Sequence, residues 1–205
     1  NAHAAPPATG CSPAFDATRI DNFIGGKVCP PARGEYMANF CPATGKAYGE
    51  LAASTEEDVE AAVAAAKAAF PAWAATPAAT RSQLLLKVAE LVDARAAAFA
   101  AAESYDNGKP VALAARVDIP RLAHNFRFFA TAILHATDKS TVIDGPPGPA
   151  VNYTVSSPVG VAGLISPWNL PIYLLSFKIA PCIAAGNTCV CKPSEFTSLT
   201  AFLLC

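Results

Sequence analysis

No apolar run in this sequence reaches the roughly eighteen residues needed to cross a bilayer as a helix, so no membrane span is expected. Neither sign of charge is in excess. Fifteen Lys and Arg stand against sixteen Asp and Glu, a net charge of −1, so neither nucleic acid nor an anionic membrane surface is the expected partner. Histidine is scarce, and neither His124 nor His135 has a second ligand at metal-binding spacing, so no metal is expected. The seven cysteines are odd in number and lack metal-site spacing, which argues against both a zinc site and a disulfide framework. No motif around any of them would activate a thiolate. Before Arg19 there is neither a basic start nor a continuous apolar stretch, so that segment does not read as a secretory signal. What remains is 205 residues that are 53% hydrophobic and only 15% charged, enough for a well-buried core.

The chain opens on a segment rich in Ala and Pro with no period, read as an extended arm over residues 1–17. Asp21–Lys27 and Phe40–Lys46 carry turn chemistry between short apolar pieces and suit small strands. Ser54 with Glu57 forms a capping box, followed at helical spacing by Val59, Val63, Ala66 and Phe70 until Pro71. Thr76-Pro77 opens the next helix, with Leu84, Val88, Leu91, Arg95 and Phe99 near one face and Leu85 and Val92 broadening it. Glu103–Pro110 punctuates the chain. Asp118 then caps a third helix whose stripe is Leu122, Phe126, Phe129 and Ile133, with Arg121, His124, Asn125 and Arg127 on other faces. Thr141–Ile143 and Val151–Val155 flank Gly145-Pro146-Pro147-Gly148 and read as a hairpin with a long loop.

Pro158–Glu195 reads as one β-α-β unit. Val159–Ile165 is a nearly unbroken apolar run, as in a strand covered on both faces of a parallel sheet. Pro171–Ala185 is long enough for about four helical turns, Gly186-Asn187 favours a helix end, and Thr188–Lys192 is a second strand. A right-handed crossover would make the strands parallel and open their carboxyl ends on one edge. Ser166, Trp168 and Asn169 follow one strand there, and Lys192, Ser194 and Glu195 the other. A carboxylate past the second strand can accept both hydroxyls of a ribose, and an ammonium beside it can hold oxygens or a phosphate, so a nucleotide is favoured. No Gly-x-Gly-x-x-Gly fingerprint accompanies the first turn, and Lys-Pro-Ser-Glu also suits a plain strand end and helix cap.

Pro167-Trp168-Asn169-Leu170-Pro171, Lys178, Ala184-Ala185-Gly186-Asn187 and Lys192-Pro193-Ser194-Glu195 together resemble the aldehyde dehydrogenase superfamily in residue type, order and spacing. Asp118–Arg121, Asn125–Ala130 and Gly163–Pro171 are similar to its 2-aminomuconic semialdehyde dehydrogenase branch. The resemblance implies an α/β fold: the N-terminal part of that family's fold, with helices, a partial parallel Rossmann-like sheet and a protruding β-hairpin. It divides the chain into a partial NAD-binding domain at 18–138 and 159–205 and an oligomerisation hairpin at 139–158, with the catalytic domain absent.

The chemistry it implies is attack of a cysteine thiolate on an aldehyde, hydride transfer to NAD and hydrolysis to a carboxylic acid. Asn169 matches the oxyanion donor, though an asparagine between two prolines can also simply fix a turn. Ile165, Ser166, Pro167, Trp168, Lys192, Ser194 and Glu195 match positions that hold the cofactor, and the Glu195 carboxylate would repel a 2′-phosphate and favour NAD. The arginine matching Arg121 holds the substrate carboxylate in the semialdehyde branch, a task suited to a guanidinium fork; a solvated helix arginine is the other reading. Lys178 matches a position linked to proton movement and could equally neutralise a carboxylate beside its helix. In the family it resembles, the hairpin pairs with another subunit, so the resemblance implies a homodimer or homotetramer.

The resemblance runs from Ile20 to Cys205, yet the nucleophilic cysteine and its general base lie outside this sequence, and Phe196–Cys205 looks like a helix without a terminator. The expectation is therefore an NAD-dependent enzyme of which this stretch alone is inactive, acting on a carboxylate-bearing semialdehyde, on betaine aldehyde or on an aliphatic aldehyde. A noncatalytic, aldehyde dehydrogenase-like binding subunit is the rival. A cytoplasmic location is expected, with a mitochondrial one after loss of a transit segment as the alternative.

Overall fold

The computed structural model describes residues 18–205, so the arm expected at 1–17 lies outside the described residues. Five short strands come first: β1 (Thr18–Ile20), β2 (Asn22–Ile24), β3 (Lys27–Cys29), β4 (Tyr36–Cys41) and β5 (Lys46–Ala52). β2 and β3 form a tight hairpin through Gly25-Gly26, whose φ values of 60° and 79° suit glycine. β5 lies between β1, which is parallel to it, and β4, which is antiparallel. β1 crosses so close to Gly49 that a Cβ there would meet the Thr18 carbonyl oxygen at 2.2 Å. The buried face of this sheet, Ile20, Cys41, Tyr48 and Leu51, packs on Ala102, Tyr105 and Leu199.

The helices depart from the sequence pattern in several places. α1 (Glu56–Ala75) starts one residue later than expected: the capping box is Thr55 with Asp58, not Ser54 with Glu57, because the Asp58 carboxylate also accepts the Ala32 N–H at 2.8 Å and the Asn22 amide at 3.1 Å. α1 also runs past Pro71 to Ala75. Its last turn is held from outside by the Trp73 indole N–H, which donates to the Ile183 carbonyl at 3.0 Å. The single helix expected from Thr76 to Phe99 is two, α2 (Ala78–Ala94) and α3 (Ala96–Asn107), broken where Arg95 leaves helical geometry. In α2 the buried face is Leu85, Ala89 and Val92, while Leu84 and Leu91 are exposed, since the small Ala89 lets a neighbouring helix approach.

Asp118 is not a cap. Helical backbone begins at α4 (Val111–Leu113), passes through a π-helical turn at Ala114–Asp118 and continues as α5 (Ile119–Ala132), with Asp118 buried inside the run. Leu122 and Phe126 face the core as the stripe requires, but Asn125 is buried there too. The core joins α2, α3, α5 and α6 (Pro171–Ala184) around Leu85, Phe99, Leu122, Phe126 and Ile172, interleaved with alanines. Each large side chain buried there contributes about 1.5–3 kcal/mol.

β6 (Ser140–Ile143) and β7 (Ala150–Tyr153) form an antiparallel hairpin with every residue exposed. β8 (Val161–Ile165) and β9 (Thr188–Lys192) are parallel and joined by α6, in register from Val161 opposite Thr188 to Ile165 opposite Lys192. β8 is two residues shorter than expected, because the N–H groups of Val159 and Gly160 donate to the Asn187 side chain at 2.7 and 3.0 Å instead of entering the ladder. It is also half-exposed along its length, not covered on both faces. α1 lies against β9, where the Thr188 hydroxyl donates to the Ala66 carbonyl at 2.9 Å. The last helix, α7, spans Leu199–Leu204 and follows a turn closed by the Thr197 N–H on the Ser194 carbonyl.

Candidate functional site

The carboxyl ends of β8 and β9 meet at Ile165 and Lys192, and the Ser166 N–H adds one further bond to the Lys192 carbonyl at 3.2 Å. The two polar clusters singled out in the sequence therefore emerge side by side. Beyond β9, Lys192 Nζ lies 3.0 Å from Glu195 Oε2, with both side chains largely in solvent. The Glu195 backbone N–H, and then Lys192, hold its carboxyl below the usual glutamate range. Ser194 is buried, its Oγ accepting the Phe196 N–H at 3.3 Å. Beyond β8, Ile165 is 67% and Trp168 59% exposed, leaving apolar surface beside the polar pair. Ser166 Oγ is buried and has no hydrogen-bond partner among the described residues, as is also true of Thr197 Oγ1.

Pro171 starts α6, and the Leu174 N–H closes its first turn on the Leu170 carbonyl. Asn169 is therefore carried, exposed, on the loop that leads into this helix. Among the described residues Lys178, one of the exposed residues of α6, pairs with no carboxylate; its ammonium donates to the Ile165 carbonyl and fastens the helix to the end of β8. Arg121 lies on α5 with its guanidinium 5.2 Å from the centre of the Tyr173 ring, in the first turn of α6. One turn further along α5, Asn125 donates to Ser176 Oγ at 3.0 Å and to the Tyr173 carbonyl at 3.3 Å. Arg121 is thus held beside the helix that Asn169 introduces, a juxtaposition that no sequence spacing displays.

A second polar region lies behind the loop. Lys109 is buried between Asp118 at 3.0 Å and Glu103 at 3.5 Å, and Glu103 also accepts the Thr200 hydroxyl at 2.7 Å. Burial pushes the Glu103 carboxyl up, against the pull of Thr200 and Lys109. Asp106 accepts from the Tyr48 hydroxyl at 2.6 Å, the Leu199 N–H at 2.8 Å and the Asn39 amide at 3.1 Å; burial raises it, and raises Tyr48 with it. Between these anchors Asn107 donates from Nδ2 to the Trp168 carbonyl at 2.7 Å. The chemistry carried by Glu103–Pro110 was hidden because its partners lie far away along the chain.

Burial and a neighbouring thiol disfavour a thiolate at Cys189 on β9. Cys189 is drawn down by its hydrogen bond with Cys182, but the bond with Cys191 and burial push it up to about 12, so it stays protonated at neutral pH. Among the described residues no group of three His, Cys, Asp or Glu is placed to hold a metal, and no helix is long and apolar enough to cross a membrane.

The model of the aldehyde dehydrogenase family matches residues 30–205. Two curated relatives are 2-aminomuconic semialdehyde dehydrogenases, from Danio rerio at 52% identity and from Homo sapiens at 50%. Each aligns over 186 residues, or 91% of this chain and 37% of the relative. The chain thus spans little more than a third of their length. A solved structure of the aldehyde dehydrogenase from Bacillus cereus, a complex with NAD+, superposes with a TM-score of 0.86 at 34% identity, covering 93% of this chain and 39% of that one. With a family match over most of the chain, relatives at half identity and the same arrangement of strands and helices, the chain belongs to the aldehyde dehydrogenase family.

Proposed function

We propose that the whole protein oxidises an aldehyde to a carboxylic acid with NAD, that this chain holds the adenosine half of the cofactor and supplies an oxyanion donor, and that the substrate is a semialdehyde bearing a carboxylate, such as 2-aminomuconic semialdehyde. The observation that carries the reading is the meeting of two polar clusters at the carboxyl ends of two parallel strands, with Arg121 held beside the helix that leaves one of them. The names of the relatives support the choice of substrate, and the NAD+ complex of the solved neighbour supports the choice of cofactor.

The residues at the strand ends fit a dinucleotide. Glu195 offers an ionised acceptor for ribose hydroxyls, Lys192 a cation within 3.0 Å of it, Ile165 and Trp168 exposed apolar surface for a base, and Ser166 a buried hydroxyl with no partner among the described residues. NAD, when bound, supplies the acceptor for the aldehyde hydride. Ile165, Ser166, Pro167, Trp168, Lys192, Ser194 and Glu195 would hold it. Glu195 would set two negative charges against each other if the ribose carried a 2′-phosphate, which disfavours NADP. Asn169 donates its side-chain N–H to the aldehyde oxygen as negative charge grows there, a contribution of about 3 kcal/mol in comparable sites. Arg121 grips the substrate carboxylate through two parallel hydrogen bonds. The exposed hairpin pairs with another copy to form a homodimer or homotetramer.

The test is the rate of NADH formation by the whole protein with a carboxylate-bearing semialdehyde and with a neutral aldehyde of similar length. Arg121→Ala is expected to lower kcat/KM for the first by roughly tenfold to a hundredfold and to leave the second nearly unchanged, the signature of a lost charge-assisted contact. Equal losses on both aldehydes would remove Arg121 from substrate recognition, and the absence of any NADH formation would remove the reaction itself.

A further inference from the structure

We infer that Asn107 is a positioning residue for Asn169: its side-chain amide holds the peptide unit from which the oxyanion donor projects. The inference rests on the reading of Asn169 as that donor. Asn107 Nδ2 lies 2.7 Å from the Trp168 carbonyl oxygen, a contact between residues 61 apart in sequence. That oxygen, the Asn169 N–H and the Asn169 Cα belong to one planar peptide, so holding the oxygen restrains the position of the Cα from which the Asn169 side chain projects.

The loop needs such a hold. Pro167 and Pro171 remove two of its backbone donors, leaving few ways for the segment to be tied from within. The donor, in contrast, is fixed on both sides. Before it, Asp106 is clamped by Tyr48, Asn39 and the Leu199 N–H. After it, Gly108 turns at φ +83°, where a Cβ would meet the Pro42 ring at 2.9 Å, and Lys109 is locked between Glu103 and Asp118. Ser104 closes the turn by donating to the Lys109 carbonyl at 2.6 Å. Asn107 is therefore a preorganised amide aimed at the proline-flanked loop that carries Asn169, and small displacements of a catalytic group are costly in rate.

The experiment measures kcat, aldehyde KM and NAD dissociation constant for the whole protein carrying Asn107→Asp, Asn169→Ala or both. Asn107→Asp keeps the size but replaces the donor with an acceptor. It is expected to lower kcat by about tenfold or more with KM and NAD binding within about twofold, and with the melting temperature retained. Asn169→Ala is expected to lower kcat by about a hundredfold, and the double variant to be no slower than Asn169→Ala alone, because a residue acting through another adds nothing once that other is gone. Asn107→Gln, which keeps an N–H donor, should recover part of the rate. Asn107→Thr is the second, uncharged variant should the aspartate not fold, and in it hydrogen–deuterium exchange over residues 166–170 should quicken. Unchanged kcat in Asn107→Asp beside a large Asn169→Ala loss, losses that multiply in the double variant, or unchanged exchange would each overturn the inference. Undiminished kcat in Asn169→Ala would overturn the donor reading itself, and this inference with it.

Discussion

Asp58 shows how much one side chain can organise in this molecule. It closes the capping box of α1 through the Thr55 N–H, and the same carboxylate ties in Ala32 and Asn22 from the strand region before the helix. Burial alone would raise its pKa, but these hydrogen bonds outweigh burial and hold it below the ordinary aspartate value. A depressed folded-state pKa contributes stability that is present above the unfolded value of 3.8 and is lost as pH falls through the lower, folded one. Asp58→Asn is thus expected to destabilise the whole protein by about 1–2 kcal/mol at neutral pH, and the gap from the unsubstituted protein should close as pH drops below about 4. Thermal unfolding measured across that range checks it; a gap independent of pH would mean that the charge is not what matters. The same scale shows why Asn107 could not be read from its neighbours: a turn containing Asn-Gly looks like punctuation, and only its contact with the Trp168 carbonyl gives it a task.

Among the elements, α6 is the one on which the site depends, since it begins just after Asn169 and carries Tyr173 and Lys178. Its far end is secured from two other helices. Arg81 donates to the Ala184 carbonyl at 2.9 Å and to the Thr76 carbonyl, satisfying carbonyls at the C-terminal ends of α6 and α1 with one guanidinium, and the Trp73 indole N–H donates to the Ile183 carbonyl. Gly186 then turns the chain at φ +88°, where a Cβ would meet the Pro158 ring at 2.8 Å. Gly186→Ala should cost about 1–2 kcal/mol for the left-handed backbone, with the clash added to it, and shows as a lower melting temperature. An unchanged melting temperature would mean that the β8 approach is free to shift. The start of this helix at Pro171 and its end at Gly186-Asn187 were legible because proline and glycine act on their own backbone, independent of any partner. The break at Arg95 and the start of helical backbone well before Asp118 were not, because alanine-rich stretches carry little pattern and leave packing to choose the boundary.

At the scale of the whole molecule, the exposed hairpin stands out: Val142, Ile143, Val151 and Tyr153 all lie more than half in solvent. Two strands alone are marginal in water, and apolar residues on both of them suit a partner strand or surface. If the hairpin pairs copies of the protein, Val142→Lys together with Val151→Lys should reduce the mass measured by light scattering toward that of a monomer. A mass unaffected by both substitutions would place the association elsewhere.

The sequence by itself determined the elements whose signals are local: the β-α-β unit between Pro158 and Glu195, the hairpin around Gly145–Gly148, the residues that follow each strand, and with them the family. These depend on proline, glycine and apolar period, which act within a turn or two of the chain. Only the tertiary structure decided which face of α2 is buried, that Thr55 and Asp58 start α1, that β8 loses Val159 and Gly160 to the Asn187 side chain, and that Asn107 and Arg121 come to the loop and helix of Asn169. Each of those outcomes is a hydrogen bond or packing contact between distant segments, and a polar side chain's partner across such a distance is set by how the helices and strands dock, not by its neighbours in the chain.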